Sequence, residues 1–205
     1  MRRMGHETRQ RLIRRGVEML TEFSFGSTGL DRLLQSAQVT KGSFYHFFGS
    51  KQAFTLEVID AYEAYFDRRF ARIFGDHTLS PLDRLRHWMV EARRGMARHG
   101  FRRGCLVGNL TQELGARDEV LRERLQAVFR RWEGWVTGVL EDARGQGQLL
   151  AHADPPQLAH LFCVGWQGAI LRAKLEGRGQ PMDDYADFFL GAIARRADPP
   201  RRSPS

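Results

Sequence analysis

The sequence predicts an all-α protein: three short helices in an N-terminal module, a long fourth helix, and a larger helical domain beyond it. Three observations carry that prediction. Apolar residues recur at spacings of three and four through nearly the whole chain, the period of a helix with one buried face. No segment alternates as a strand does, and no internal repeat is present. Small hydroxyl residues, Pro and Gly fall between the apolar runs, where helices start and stop.

Taken in order, "RQRLIRRGVEMLTEF" places Leu12, Ile13, Val17, Leu20 and Phe23 on one stripe, and Gly26 ends it. "STGLDRLLQSAQ" gives a second helix of about two turns with Leu30, Leu33, Leu34 and Ala37 as its apolar face. Val39 occupies a tight turn, Thr40 is placed to cap, and Lys41 to Phe47 form a third short helix. Ser50 caps the long helix "KQAFTLEVIDAYEAYFDRRFARIF", which carries Phe54, Val58, Tyr62, Tyr65 and Phe66 on one side. "SPLDRLRHWMVEARRGMARHG" opens with Ser80 as cap and Pro81 in the first turn. A short helix lies between Gly104 and Gly115, followed by the long amphipathic "RDEVLRERLQAVFRRWEGWVTGVLEDARGQG". "DPPQLAHLFCVGWQGAILRAKLEG" is apolar through its middle, so it is buried or faces a partner. "MDDYADFFLGAIARRA" closes the fold, with Tyr185, Phe188, Phe189 and Ile193 expected to join that helix in an isologous dimer interface. The expected units are residues 1–52, residues 53–197 and a disordered tail, 198–205.

Composition narrows the function classes. The chain has 205 residues, of which 42% are hydrophobic and 27% charged, as in ordinary globular proteins. No apolar run is long enough to span a bilayer, so no membrane partner is expected. The N-terminus has charge without an apolar core behind it and does not read as a secretory signal. Two cysteines make no disulfide framework, and a cytoplasmic location is the expectation. The net charge of +8 favours an anionic partner: nucleic acid, an anionic surface or acidic small molecules. Arg supplies nearly all of that charge; the three lysines are Lys41, Lys51 and Lys174. No metal-ligand spacing, phosphate-binding loop or catalytic triad is assembled, so no enzyme activity, metal or cofactor is expected.

The stretch "TKGSFYHFFGSK" asks for a specific explanation. On a helix, Phe44 and Phe48 share one face, while Lys41, Ser43, Tyr45 and His46 point elsewhere. Gly42 lets another surface approach the backbone closely. Lys51 lies in the first turn of the next helix, beside amides that favour an anion such as a backbone phosphate. Arg2 and Arg3 are placed to follow DNA as a flexible arm. A two-turn helix after another short helix and a turn, with a polar-aromatic outer face, reads as a helix-turn-helix whose second helix enters the major groove. The competing reading is an αα corner with a solvated face. Two further functions compete at the level of the chain: an all-helical enzyme or carrier of an acidic metabolite, and a constitutive architectural DNA binder.

The same residues carry a resemblance. "GLDRLLQSAQVTKGSFYHFFGSKQAF", Gly29 to Phe54, resembles the DNA-binding signature of the tetracycline-repressor (TetR) family, with Val39, Gly42, Phe44, Tyr45, His46, Phe48 and Lys51 at its hydrophobic, Gly, aromatic and Lys positions. The resemblance implies a homodimeric repressor of a partly palindromic double-stranded operator. It also implies a ligand pocket in the second domain and a four-helix dimer bundle from the last two long helices of each subunit. It assigns DNA contact to Thr28, Lys41, Gly42, Ser43, Tyr45, His46 and Lys51. "HGFRRGCLVGNLTQELG" and "GWQGAILRAKLEGR" are similar to the branch of acrylate-responsive repressors, and more distantly to the repressor that responds to N-ethylmaleimide and other electrophiles. In that relative the responding Cys and a Lys correspond to Cys105 and Lys174. The implied effector is a small unsaturated acid such as acrylate, or a reactive electrophile.

The residues themselves leave two readings of Cys105 open. A helix start behind Arg102 and Arg103 favours thiolate, whereas a free Cys is also commonly a small buried hydrophobe. Arg102, Cys105, Asn109, Gln112, Trp132, Trp166 and Lys174 form the candidate ligand set. A salt bridge from Lys174 to Glu176 or another carboxylate competes with a sensing role. Cys163 reads as packing, and a metal at His152 and His160 is only weakly suggested.

Overall fold

The computed structural model describes residues 2–23 and 26–195, apart from the side chains of residues 2–4, 27 and 28. Among these residues the chain is all-α: α1 (Arg2–Glu22), α2 (Ser27–Ala37), α3 (Lys41–Phe48), α4 (Lys51–Phe74), α5 (Pro81–Ala97), α6 (Leu106–Leu114), α7 (Glu119–Gly145), α8 (Pro155–Glu176) and α9 (Gln180–Ile193). Extended pairing among them is a single bridge, Leu149 to Ala194.

The caps follow the local chemistry expected of the sequence. Thr40 Oγ1 accepts from the Ser43 amide at 3.2 Å, Ser50 Oγ from Ala53 at 3.0 Å and Ser80 Oγ from Asp83 at 3.3 Å. The α2–α3 turn rests on a signal the sequence hides. Gln38 takes the left-handed conformation, φ 53°, without being Gly, and the Val39 amide donates to the Leu34 carbonyl at 3.0 Å.

Leu12, Leu20, Leu33, Phe44 and Phe54 are fully buried and join the module to the N-terminal half of α4. That helix continues between α1, α5 and α7. Its far end is held by Arg84, whose buried guanidinium donates to the Phe74 carbonyl at 2.5 Å and to Asp142 at 2.9 Å. On its flank, Arg124 of α7 pairs with Asp60 and Glu63, and Arg131 with Asp67. α8 lies between α7 and α9. The Tyr185 ring lies so close against the α8 backbone at Gly165 that any Cβ there would overlap it, and its hydroxyl donates to the Leu161 and Phe162 carbonyls at 3.1 Å.

Several placements differ from expectation. Phe23 falls beyond the end of α1 and is exposed, and Tyr65 of α4 is exposed along part of its ring while its inner side reaches the cavity. α2 has 11 residues, three turns instead of two. Arg2 and Arg3 belong to α1, so the expected flexible arm is helical backbone. Of the α9 residues assigned to a dimer interface, Phe189 and Ile193 are buried within the chain and Tyr185 is partly buried against α8. Only Phe188 points out, 73% exposed. The tail 198–205 and the expected domain end at 197 lie outside the described residues.

Candidate nucleic-acid interface and ligand cavity

α3 separates its residues sharply. Phe44 and Phe48 are buried, with ring centroids 5.1 and 4.8 Å from Phe54. That packing turns Lys41, Gly42, Ser43, Tyr45 and His46 to the exterior, all exposed. Tyr45 holds its orientation through an edge contact with Phe44 at 5.3 Å. A Cβ on Gly42 would meet no neighbour within 4 Å, so the backbone there is open to approach. Lys51 is engaged within the chain: its ammonium donates to the Gly26 carbonyl at 3.2 Å, tying the α1–α2 connection to the start of α4. The side chain of Thr28 lies outside the described residues.

A cavity of about 230 Å³ lies between α4, α5, α7 and α8, partly open and reaching the end of α1 at Glu18 and Thr21. Its walls are aromatic: Tyr62, Phe66 and Phe70 of α4, Trp88 of α5, Phe129 and Trp132 of α7, and Phe162 and Trp166 of α8. Arg69, Arg98, His99 and Arg103 add basic character.

Of the candidate ligand residues, Cys105, Trp132 and Trp166 line this cavity, and the other four do not. Arg102 is 78% exposed and leans on Glu22 at 3.6 Å. Gln112 is exposed on the outer side of α6. Asn109 donates to the Leu20 and Thr21 carbonyls at 2.9 and 3.1 Å. Lys174 donates to the Glu22 and Thr21 carbonyls at 3.0 and 3.4 Å, while Glu176 is taken by Arg172 and Arg178. With the Gly104 amide on Thr21 at 2.8 Å, these donors form a clasp around the last carbonyls of α1, which the helix itself leaves unpaired. Asn109 and Lys174 are therefore polar for structural reasons that lie far away in sequence.

Cys105 is the N-cap of α6. Its sulfur accepts from the Gly108 amide at 3.5 Å and from Gln167 at 3.6 Å. Burial pushes its thiol up, an effect only partly offset by those two donors, so it stays protonated at neutral pH. Arg102 and Arg103, the cations ahead of this thiol, both turn to Glu22. Burial and the neighbouring Cys105 raise Tyr62 well above its usual range. Burial lowers Lys174, with Glu22 opposing. Burial, then Glu133, pushes Cys163 up to about 12. His160 pairs with Glu133 at 3.0 Å. Among the described residues no group of three potential ligands is arranged for a metal, and no helix is long and apolar enough to cross a membrane.

Sequence reading missed Arg69, Phe70, Met96, His99, Arg103, Phe129 and Gln167 as cavity residues. One signal was available: Tyr62, Phe66 and Phe70 repeat at intervals of four along α4.

Comparison with known proteins identifies the family. Residues 12–58 match the model for bacterial regulatory proteins of the tetR family, and residues 81–189 match that for the tetracyclin repressor-like C-terminal domain. The chain is 48% identical over 180 residues to the transcriptional regulator AcuR of Cereibacter sphaeroides, covering 88% of this chain and 82% of that one. It is 28% identical to the HTH-type transcriptional repressor NemR of Escherichia coli, covering 94% and 96%. Among solved structures, a regulatory protein TetR from Rhodobacter sphaeroides superposes with a TM-score of 0.86 at 47% identity, over 90% of this chain and 97% of that one. The reduced form of Escherichia coli NemR does so with a TM-score of 0.84 at 28% identity, over 94% and 100%. The helix-turn-helix, the all-helical remainder and these matches together make the chain a DNA-binding transcriptional regulator of the TetR family.

Proposed function

We propose that this regulator is a dimeric repressor that binds a partly palindromic operator through α3 and releases it when a small effector occupies the aromatic cavity. The observation that carries the reading is the face of α3: Lys41, Ser43, Tyr45 and His46 exposed around an unobstructed Gly42, above a buried Phe44 and Phe48. Those groups can donate to phosphates and base edges, and Tyr45 adds apolar contact in a major groove. Lys51 contributes at the backbone while keeping its bond to Gly26, and Thr28 opens α2 alongside. Dimerisation uses α8 and α9. Leu161, Val164, Leu171 and Leu175 of α8 and Phe188 of α9 are exposed apolar residues, and a two-fold partner presenting the same surface would cover them.

The resemblance implies a small unsaturated acid such as acrylate, or a reactive electrophile; of these the effector is the unsaturated acid, its size being left to the cavity. A buried, protonated thiol favours reversible occupancy, with Cys105 as part of the cavity wall and not an alkylated nucleophile. Release requires only that the effector bind more tightly to the arrangement in which the two α3 helices are spaced wrongly for successive major grooves. The cavity touches both α4 and the end of α1, the two helices that carry the module.

A mobility-shift assay with the upstream region of its own gene, and with a selected random library, tests the reading. Retention that weakens steeply with salt and is relieved by effector is expected. No retention of either DNA at low salt, or a monomer in sedimentation at micromolar concentration, would overturn it.

A further inference from the structure

Resting on that sensor reading, we infer that the cavity is built for an acid with a ring-sized apolar body, and that Arg69 is the residue that selects for the acid. Size is the first ground. At roughly 30 Å³ per water, 230 Å³ is room for about eight waters. A three-carbon acid takes the room of about four such waters and would leave roughly half of that space unfilled between aromatic walls. A bound ligand that fails to touch those walls forgoes most of the dispersion and burial the cavity offers.

The shape of the wall is the second ground. Tyr62 and Phe66 lie 4.8 Å apart, and Phe66 meets Trp132 at 5.4 Å. Trp88 and Trp166 meet at 5.6 Å on the α5–α8 side. Such faces and edges suit a flat ring.

Charge is the third ground. Arg69 lines the cavity with its guanidinium over the rings of Tyr65 and Phe66, at 5.7 and 5.9 Å, and makes no hydrogen bond or ion pair among the described residues, Glu91 acting on it only through space. The nearby carboxylates are committed elsewhere: Glu18 to Arg15 and Glu91 to Arg94. Arg102 and Lys174, the cations the sequence offered for an acid, are both turned away onto α1 and Glu22. Arg69 is thus a half-buried guanidinium held by stacking, with its hydrogen-bonding edge free for a bidentate carboxylate.

Direct binding to the full-length protein, by calorimetry, tests this with cinnamate, its neutral counterpart cinnamyl alcohol, and acrylate. Cinnamate should bind at least about tenfold more tightly than either. Arg69→Gln should erase the preference for acid over alcohol while leaving the alcohol within about twofold, and Arg69→Lys should keep part of it. Acrylate binding as tightly as cinnamate would overturn the size argument. Cinnamate failing to bind, or binding no better than the alcohol, would overturn the ligand class. Equal losses for acid and alcohol in Arg69→Gln would make Arg69 a structural residue. If Arg69→Gln does not fold, the wild-type comparison and Arg69→Lys decide. An operator assay without ligand, run in parallel, separates failure here from failure of the repressor reading.

Discussion

Two clusters of aromatic side chains, one at each end of α4, are put together in opposite ways. Near its start, Phe44, Phe48 and Phe54 meet with centroids 4.8 to 5.2 Å apart and fill the space between them. Further along, Tyr62, Phe66, Phe70, Trp88, Trp132 and Trp166 surround a space they do not fill. The first cluster uses its rings to orient what lies outside, the polar face of α3. The second uses them to define what can lie inside. A small module with few buried residues needs every contact for stability, whereas the larger part of the chain buries aromatic rings around a space left open.

Phe44→Ala breaks the comparison most severely. The ring is fully buried in a core too small to collapse around the loss, and a cost of about 3–5 kcal/mol is expected. Chemical denaturation should show the module unfolding before the tryptophan-rich domain, with a loss of operator retention. A single unchanged transition would show that the module's core is not the weak one.

Removing the clasp is the next largest step. Asn109→Ala and Lys174→Met should each destabilise by about 1–2 kcal/mol, because part-buried carbonyls at the end of α1 lose their donors. Hydrogen exchange should rise in the last turn of α1 and in α2, and stay as it was in α7. Exchange unchanged in α1 would mean that water or neighbouring amides replace the clasp at no cost.

The fate of α3's outer face sharpens the contrast. Tyr45→Ala with His46→Ala should leave thermal stability within about 0.5 kcal/mol, since both side chains are exposed, and should abolish operator retention. A large loss of stability would mean that these residues support the core they sit on.

Thiol chemistry gives the smallest effect. Burial, then Glu133, pushes the Cys163 thiol up from 9.0 to about 12, so over that range the folded form keeps a proton that the unfolded chain gives up. Its contribution to stability is intact below pH 9 and declines as pH rises toward 12. Cys105 moves in the same direction for the same reason, burial. Neither thiol should react with a maleimide at pH 7 at the rate of a free cysteine. Rapid labelling of Cys105 in the native protein would restore the covalent mechanism of sensing.

What the sequence made legible divides along the same line. Helices, caps and the inward turn of Phe44 and Phe48 depend on neighbours within four residues, so periodicity and hydroxyl placement reveal them. Cavity membership depends on which way a residue faces after distant helices have met. Asn109 and Lys174 have the chemistry of ligand contacts, and the C-terminal end of α1 takes them instead. Arg69 looked like one arginine among many, and its place on the cavity wall against two aromatic rings appears only once the helices have met. Gln38 gave no warning because the left-handed turn it forms is usually announced by Gly.

The clasp also sets an order of events during synthesis. The last carbonyls of α1 are offered when residue 22 is made, but their donors arrive with Gly104, Asn109 and finally Lys174, 152 residues after Glu22. Until α8 has left the ribosome, the helix that opens the chain has a frayed end, and a nascent chain cut short before Lys174 carries a DNA-reading module that lacks its final tether.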